Sequence, residues 1–338
     1  MYLESTCCEF KKILTDICAK GDHDGILLSG GLDSSILAYH IKPKYSITIS
    51  IDKESPDYLY SALIAKKKYS TNHQMINISY TEILTNIEEL IEEFKTFDPI
   101  FLKNSVVQLI GLKIAKEMNI NSLVIGDGAD ELFAGYNFLH KFAEEPEKLN
   151  KKLNSIIQNM DFFSVKYSNK LGLKIFLPFL HKEISEFSQK ISMKEKISKK
   201  DGTFYGKFFL RKCYEEILGK EIVWREKNAL EKGSGVTDLK YYIENNMITD
   251  SEYIVEREIA KSEGVRIRNK EHLYFYKIYR KFFRPPREDI SNESNTIKEC
   301  PSCKSIFAWK GNFCRVCGEY PINIIENHNK ETLSPFSY

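Results

Sequence analysis

The spacing of apolar positions changes several times along the chain, and each change predicts an element. Residues 25–29, GILLS, form a short apolar run bounded by glycine, the pattern of a strand buried on both faces. SSILAYHI follows and predicts a helix with Ser34 in its first turn. YSITISID, residues 45–52, is a second strand candidate. Residues 57–70 have helical composition, and HQMINIS, residues 73–79, predicts a third strand. TEILTNIEELIEEF has helical spacing and opens on Thr81, a capping residue type. Residues 106–118 predict another helix, and SLVIG, residues 122–126, a further buried strand. Strands alternating with helices imply an α/β fold, a parallel sheet with helices on both faces. Residues 2–20 predict an amphipathic helix ahead of it, and residues 140–285 read as mostly helical. No repeat of fixed period is visible.

The 338 residues are 42% hydrophobic and 28% charged, which excludes a disordered chain, a collagen and a coiled coil. At this length one large domain, alone or with a small one, is expected. The longest apolar stretches, such as residues 175–180, are too short to span a bilayer, so no membrane partner is expected. The first residues, MYLESTCCEF, lack a basic stretch leading into an apolar one, so the cytoplasm is the expected compartment. The net charge of +2 is unevenly spread. Residues 261–317 carry 13 Lys/Arg against 6 Asp/Glu, which suggests either a polyanionic partner or a solvated basic face.

SGGLDSS, residues 29–35, lies between the first strand and the first helix. Glycines there let backbone amides approach an anion, and the helix N-terminus adds free N–H groups and a favourable dipole. Ser29, Gly30, Gly31 and Ser34 would cradle phosphate. Asp33 would repel phosphate unless it holds Mg²⁺ bridging phosphate oxygens. The Walker A pattern is absent, which disfavours a simple kinase or GTPase. After SLVIG, the loop GDGADELFAGY gathers Asp127, Asp130 and Glu131 between Gly126, Gly128 and Gly135. Carboxylates this close repel one another unless a cation or donors compensate. Asp33 and Asp130 together could complete a Mg²⁺ site. The plainer alternative is an acidic surface loop.

Residues 29–34 resemble the pyrophosphate-binding loop of the N-type ATP pyrophosphatases, the PP-loop superfamily. GDGADELFAGY at 126–136 resembles the second signature of the synthetase domain of asparagine synthetases. So do the stretch YGKFFLRKCYEEILGKEIVWREKNALEKGSG at 205–235, LPFL at 177–180 and SPD at 55–57. The resemblance covers about residues 20–285. It implies an adenine nucleotide alpha hydrolase-like fold and a carbon–nitrogen ligase using ATP and Mg²⁺. A carboxylate attacks the α-phosphorus of ATP, pyrophosphate leaves, and ammonia or an amine displaces AMP to give an amide. It further implies that Asp33 and Asp130 bind Mg–pyrophosphate and that Gly126 belongs to the nucleotide site. Asp127 then orients or deprotonates the amine, and Lys227 contacts pyrophosphate and the adenylated intermediate. Arg225 is a lesser candidate for the same role. Read without the resemblance, Lys227 is more readily an exposed surface lysine.

The chain also departs from that family. Tyr2 follows Met1, and the ATP loop starts at Ser29, which leaves no room for the glutaminase domain of the glutamine-dependent enzymes. Ammonia is then free, comes from a separate glutaminase, or is replaced by another amine. The family's E-x-R-x-PFLD reads KIFLPFLH at residues 174–181, and Lys103-Asn104-Ser105 stands where Arg-Ala-Ser is frequent. These changes weaken the expectation that aspartate is the acceptor carboxylate. No catalytic role follows for His73 or His181.

The eight cysteines form two groups. Cys7, Cys8, Cys18 and Cys213 are scattered, whereas Cys300, Cys303, Cys314 and Cys317 make two C-x-x-C knuckles with zinc-ribbon spacing. Four thiolates fill a tetrahedral Zn²⁺, so a structural site is expected. The knuckles serve either as a stability clamp or dimer contact, or as a docking module for tRNA or a carrier protein. Residues 265–288 interleave Arg266, Arg268, Lys277, Arg280, Lys281, Arg284 and Arg287 with six aromatic residues. Such a segment can track phosphates and stack on bases, or it can be a helix with its aromatics in the core. A PP-loop enzyme acting on tRNA or another macromolecule is therefore the alternative function, and a scaffold with a degenerate site the third. The expected organisation is an N-terminal helix (1–22), the ATP pyrophosphatase domain (23–285), a linker (286–298), a zinc ribbon (299–320) and a polar tail (321–338).

Overall fold

The computed structural model describes residues 2–21, 23–70, 72–288, 298–307 and 314–319. Most of the expected linker and all of the expected polar tail lie outside the described residues. The chain divides into two compact units, residues 1–78 with 107–235 and residues 79–106 with 236–338. Among the described residues, no helix is long and apolar enough to cross a membrane.

The first unit is built on a five-stranded parallel sheet. Its strands are β1 (Gly25–Leu27), β2 (Tyr45–Ser50), β3 (Asn72–Asn77), β4 (Ser122–Val124) and β5 (Lys174–Phe176). They lie in the order β3-β2-β1-β4-β5. Side chains alternate across the sheet as strand geometry requires. Ile26 and Leu28 enter a core with Phe10, Leu14, Phe133, Phe209 and Tyr214, while Leu27 abuts Gly111 of helix Pro99–Glu117. The chain runs outward from β1 to β3, then crosses back to β4. β1 and β4 are thus neighbours whose following loops diverge, the topological switch point at which open α/β sheets bind ligands.

Three local features differ from the pattern-based expectation. Residues 140–285 are not purely helical: they contain β5 and an antiparallel hairpin, β6 (Ile197–Lys200) and β7 (Thr203–Gly206). Its two-residue turn, Asp201-Gly202, has φ of 50° and 82°, the primed geometry that Asp-Gly favours. The helix Tyr80–Phe94 is capped by Ser79 rather than Thr81. Ser79 stands three residues before Glu82 and closes a capping box with it. Finally, Cys7 and Cys213 form a disulfide, 206 residues apart in sequence. Their helices, Tyr2–Cys18 and Phe208–Leu218, meet through Phe10 and Phe209, whose rings cross edge-on 5.7 Å apart.

The second unit holds helices Tyr80–Phe94, Leu239–Asn246, Asp250–Ser262 and Lys270–Phe282. The basic–aromatic stretch forms the last of these. Phe275, Tyr276 and Tyr279 are buried, and Phe97 packs 4.9 Å from both tyrosine rings. On its outer side Lys277 pairs with Glu252, Arg280 with Glu263 and Lys281 with Glu88. Phe275, Tyr276 and Tyr279 are thus core residues, removed from stacking on bases, whereas Phe282 is exposed. Lys103 is buried and paired with Glu271 at 3.0 Å.

The disulfide generates a stability prediction. Replacing Cys213 by Ser should lower the unfolding free energy by roughly 2–4 kcal/mol in oxidising buffer. Urea denaturation checks it: the wild type in reductant should fall onto the variant's curve. The cytoplasm expected from the sequence keeps thiols reduced, and there the pair is expected as two thiols.

Candidate active site

The site assembles at the C-terminal ends of β1 and β4. After β1 the chain turns through Ser29-Gly30-Gly31 into helix Leu32–Ile41. Gly30 has φ +64°, and a Cβ there would lie 2.3 Å from the Ser61 nitrogen, so only glycine fits. Ser29 Oγ accepts the Gly31 N–H at 3.2 Å and lies 3.2 Å from Ser34 Oγ. Gly31 is the helix N-cap and offers no side-chain cap, which leaves first-turn amides for an anion. After β4, Gly126 lies directly against Asp33. Asp130 and Glu131 then open the short helix Ala129–Phe133.

The centre of the site is a lysine that the sequence reading did not single out. Lys207 Nζ lies 2.6 Å from Asp33 Oδ2 and 2.6 Å from Asp130 Oδ1. Lys227 Nζ donates to Asp130 Oδ2 at 2.5 Å. Lys207 is only 2% exposed. It follows β7 directly, adopts φ 52° and caps helix Phe208–Leu218, while its N–H is held by the Phe133 carbonyl. A left-handed non-glycine residue costs roughly 1–3 kcal/mol and persists where its surroundings over-determine it. Here two half-buried carboxylates do so. Gly135 makes room for the cluster, because a Cβ there would lie 1.8 Å from Asp130 Oδ1.

Two arginines clip the surrounding segments together. Arg211, one turn along the helix from Lys207, donates to the carbonyls of Gly206, Val223 and Arg225. Arg225 donates to the Ser29 carbonyl at 3.2 Å and to Asp57 Oδ1 at 2.8 Å, and lies over the Tyr60 ring. The SPD motif thereby reaches the segment that carries Lys227. Burial raises the Asp57 carboxyl to about 6, against the pull of Arg225.

The electrostatics separate the acids into two kinds. Burial disfavours charge on Asp130, but the Lys207 and Lys227 ammoniums outweigh it and hold the carboxyl well below the ordinary range. Lys227 is likewise penalised by burial, yet Asp130 and Asp33 hold its pKa above the usual lysine value. Asp127 is different. Its oxygens meet only neutral donors, Gln108 Nε2 at 3.2 Å and Ser164 Oγ at 2.6 Å. Burial raises its pKa despite those two bonds. Burial also raises Glu131, whose carboxylate accepts the Tyr136 hydroxyl at 2.5 Å.

Asp33 Oδ1 is buried without a hydrogen-bond partner. Asp33 and Asp130 share the Lys207 ammonium, and the unpartnered Asp33 oxygen is a hard donor of the type that suits Mg²⁺ beside phosphate oxygens. The fold places the expected nucleotide-binding residues Ser29, Gly30, Gly31, Asp33, Ser34, Gly126 and Asp130, and the expected catalytic residues Asp127 and Lys227, on the segments that follow β1 and β4 and on the one that follows Arg225. It adds Lys207, Arg211, Gln108 and Ser164. The Gly-Lys at a hairpin exit was the available signal for Lys207; Gln108 and Ser164 carry no local signal. At the altered family motif, Phe176 stacks on His23 at 4.1 Å and Lys174 is exposed.

A family model described as asparagine synthase matches residues 21–174 and 152–294. A root asparagine synthetase (glutamine-hydrolysing) of Pisum sativum is 24% identical over 352 residues, covering 95% of this chain and 58% of that protein. The asparagine synthetase (glutamine-hydrolysing) of Rattus norvegicus is 32% identical over 248 residues, covering 68% and 42%. The chain thus spans about half the length of the curated relatives it matches. Among solved structures, the U34-tRNA thiolase NcsA of Methanococcus maripaludis, with its 4Fe–4S cluster, aligns at 15% identity and a TM-score of 0.35. The alignment covers 93% of this chain and 87% of that one, a likeness too slight to carry an argument.

Removing Lys207 would leave Asp33 facing Asp130 with one ammonium fewer. Lys207→Met should destabilise the protein by about 3–5 kcal/mol, the cost of breaking a buried pair. Adding Asp33→Asn should recover part of that loss. A double-mutant cycle in urea measures it, and strictly additive effects would contradict the pairing.

Proposed function

The chain belongs to the asparagine synthase family, and from that premise we propose that it is an ATP-dependent, AMP- and pyrophosphate-forming amide synthetase. The observation that carries this reading is the cluster of Asp33, Asp130, Lys207 and Lys227 at the switch point of a parallel sheet. Two carboxylates and two ammoniums, converging beside a glycine loop and an uncapped helix N-terminus, suit a magnesium–polyphosphate. They offer nothing for a neutral ligand.

In this reading Ser29, Gly30, Gly31 and Ser34 hold the pyrophosphate portion of ATP, and Gly126 lets the second loop close on it. Asp33 and Asp130 hold Mg²⁺, which when bound neutralises the phosphates and polarises the α-phosphorus. The substrate carboxylate oxygen forms a bond to that phosphorus, and the bond to the pyrophosphate oxygen breaks. Lys207 and Lys227 stabilise the charge that builds on the leaving pyrophosphate. A nitrogen nucleophile then bonds to the acyl carbon, the bond to the AMP oxygen breaks, and the amide is formed. Asp127 takes the proton lost by the nitrogen. Its environment supports this role, because two neutral donors fix its oxygens while burial makes it a better base than an ordinary aspartate.

The acceptor is a small carboxylate and the donor is ammonia or an amine, free or delivered by a separate glutaminase. The tRNA-modifying alternative loses its main support. Phe275, Tyr276 and Tyr279 of helix Lys270–Phe282 are buried, and Lys277, Arg280 and Lys281 are paired with acids, which leaves Phe282 as its exposed aromatic residue.

Two variants separate the two half-reactions. Asp33→Asn should abolish carboxylate-dependent pyrophosphate release, by 100-fold or more on the order of a lost charge-stabilising group. Asp127→Asn should retain carboxylate-dependent exchange of labelled pyrophosphate into ATP, yet lose amide formation by about 10²–10⁴-fold. The wild-type amide-forming rate should fall as pH drops through the Asp127 pKa. Its acid limb should lie above the ordinary aspartate range, because burial raises that pKa. Assays start from Mg–ATP, ammonium and aspartate and extend to a panel of carboxylates. ADP as the product would contradict the reading.

A further inference from the structure

The four C-terminal cysteines play no part in that chemistry, yet their sulfurs are gathered as tightly as those of any metal centre. All four ligand atoms lie within 4.8 Å of one another and all four residues are buried. Cys300 Sγ is 3.6 Å from Cys317 Sγ, and Cys303 Sγ is 3.7 Å from Cys314 Sγ. A tetrahedron of thiolates around Zn²⁺, with Zn–S bonds of about 2.3 Å, has sulfur–sulfur edges of about 3.8 Å. The spacing therefore matches a single ion at the centre. Four thiolates also complete the coordination, which leaves no open position for catalysis.

The surroundings say what the site is for. Besides the cysteines, Val316 and Ser305 are buried in the knuckles; a segment of about twenty residues needs a metal or a partner surface to fold. The knuckles also contact other segments of the second unit. The Arg315 carbonyl, between Cys314 and Cys317, accepts the Thr96 hydroxyl at 2.7 Å and the Phe97 N–H at 3.2 Å. Gly318, at φ +78°, lies so close to Asp98 that a Cβ would be 2.6 Å from its carboxylate. Asp98 in turn accepts the N–H groups of Ile100 and Phe101 at the start of helix Pro99–Glu117. Ser305 Oγ accepts the Arg266 N–H at 3.3 Å. Phe97, held at this junction, packs on His272, Tyr276 and Tyr279.

We propose that Cys300, Cys303, Cys314 and Cys317 bind one Zn²⁺, and that this ion is a staple of the second unit. The knuckle it folds locks the Thr96-Phe97-Asp98 connector onto helix Lys270–Phe282. The knuckle backbone that a docking module would present to a partner is bonded to the chain's own connector instead. The site belongs to the architecture and acts independently of whether the first unit makes an amide.

The full chain, purified without chelator, should contain one zinc per chain by elemental analysis. Cobalt(II) exchanged into the site should give the intense visible bands of tetrahedral thiolate coordination. Stripping zinc with a strong chelator should raise hydrogen exchange at least tenfold in helices Tyr80–Phe94 and Lys270–Phe282. Exchange in β2 should not change. Thr96→Val keeps every ligand, so it should retain zinc while raising exchange in the same helices. Iron or an iron–sulfur chromophore in place of zinc, or no metal, would overturn the ion assignment. Unchanged exchange after zinc removal, with loss of binding to RNA in a salt-dependent filter assay, would overturn the staple and restore the docking role.

Discussion

The first unit depends on one buried ammonium. Lys207 sits between Asp33 and Asp130, 2.6 Å from each, with almost no exposure to water. Two carboxylates brought this close are tolerable in a buried setting only with a cation between them, and a buried lysine is tolerable only with carboxylates around it. Each charge is the condition for the others. That constraint fixes three segments far apart in sequence: the loop after β1, the loop after β4, and the exit of the β6–β7 hairpin. Gly135 leaves space for the cluster, and Lys207 accepts a left-handed backbone to reach it.

The same charge balance describes the chemistry that the site suits. With Lys227, the cluster holds two positive and two negative groups, and it lies beside the first turn of helix Leu32–Ile41. In the proposed reaction magnesium and phosphate would bring charges of both signs, and each would find its complement already fixed. Preorganised groups of this kind need little rearrangement as charge develops, which is where electrostatic catalysis gains most. Asp127 feels Asp130 and Lys227 only at a distance, and its hydrogen bonds come from the neutral donors Gln108 and Ser164, which do not outweigh its burial. One loop thus carries two aspartates of opposite character, Asp130 strongly acidic and Asp127 weakly so.

Strands β1 to β4 were legible because they are short apolar or β-branched runs separated by helical periods, as at residues 25–29 and 122–126, whereas β5 lay inside a stretch that reads as helical. The glycine loop and the acidic loop were legible because their residues are local: a turn, its donors and its acid fit within seven to eleven positions. Lys207 was not, because it meets Asp33 across 174 residues and nothing near it in sequence states that partnership. The β6–β7 hairpin was hidden because its strands, ISKK and TFYG, are only four residues long and lack an apolar alternation, although its Asp201-Gly202 turn was written plainly. The aromatic residues of helix Lys270–Phe282 admitted two readings from composition. Burial of Phe275, Tyr276 and Tyr279 decided for the core. The Cys7–Cys213 bridge could not be read from spacing, since cysteine connectivity depends on which helices pack together.

The most direct test of the central claim follows oxygen. The protein is incubated with Mg–ATP, ammonium and a mixture of amino and organic acids whose carboxylates carry ¹⁸O, and the nucleotide product is analysed by mass. Adenylation of a carboxylate predicts AMP carrying one ¹⁸O, transferred when the amide forms. Unlabelled AMP, or label appearing in inorganic phosphate beside ADP, would contradict it.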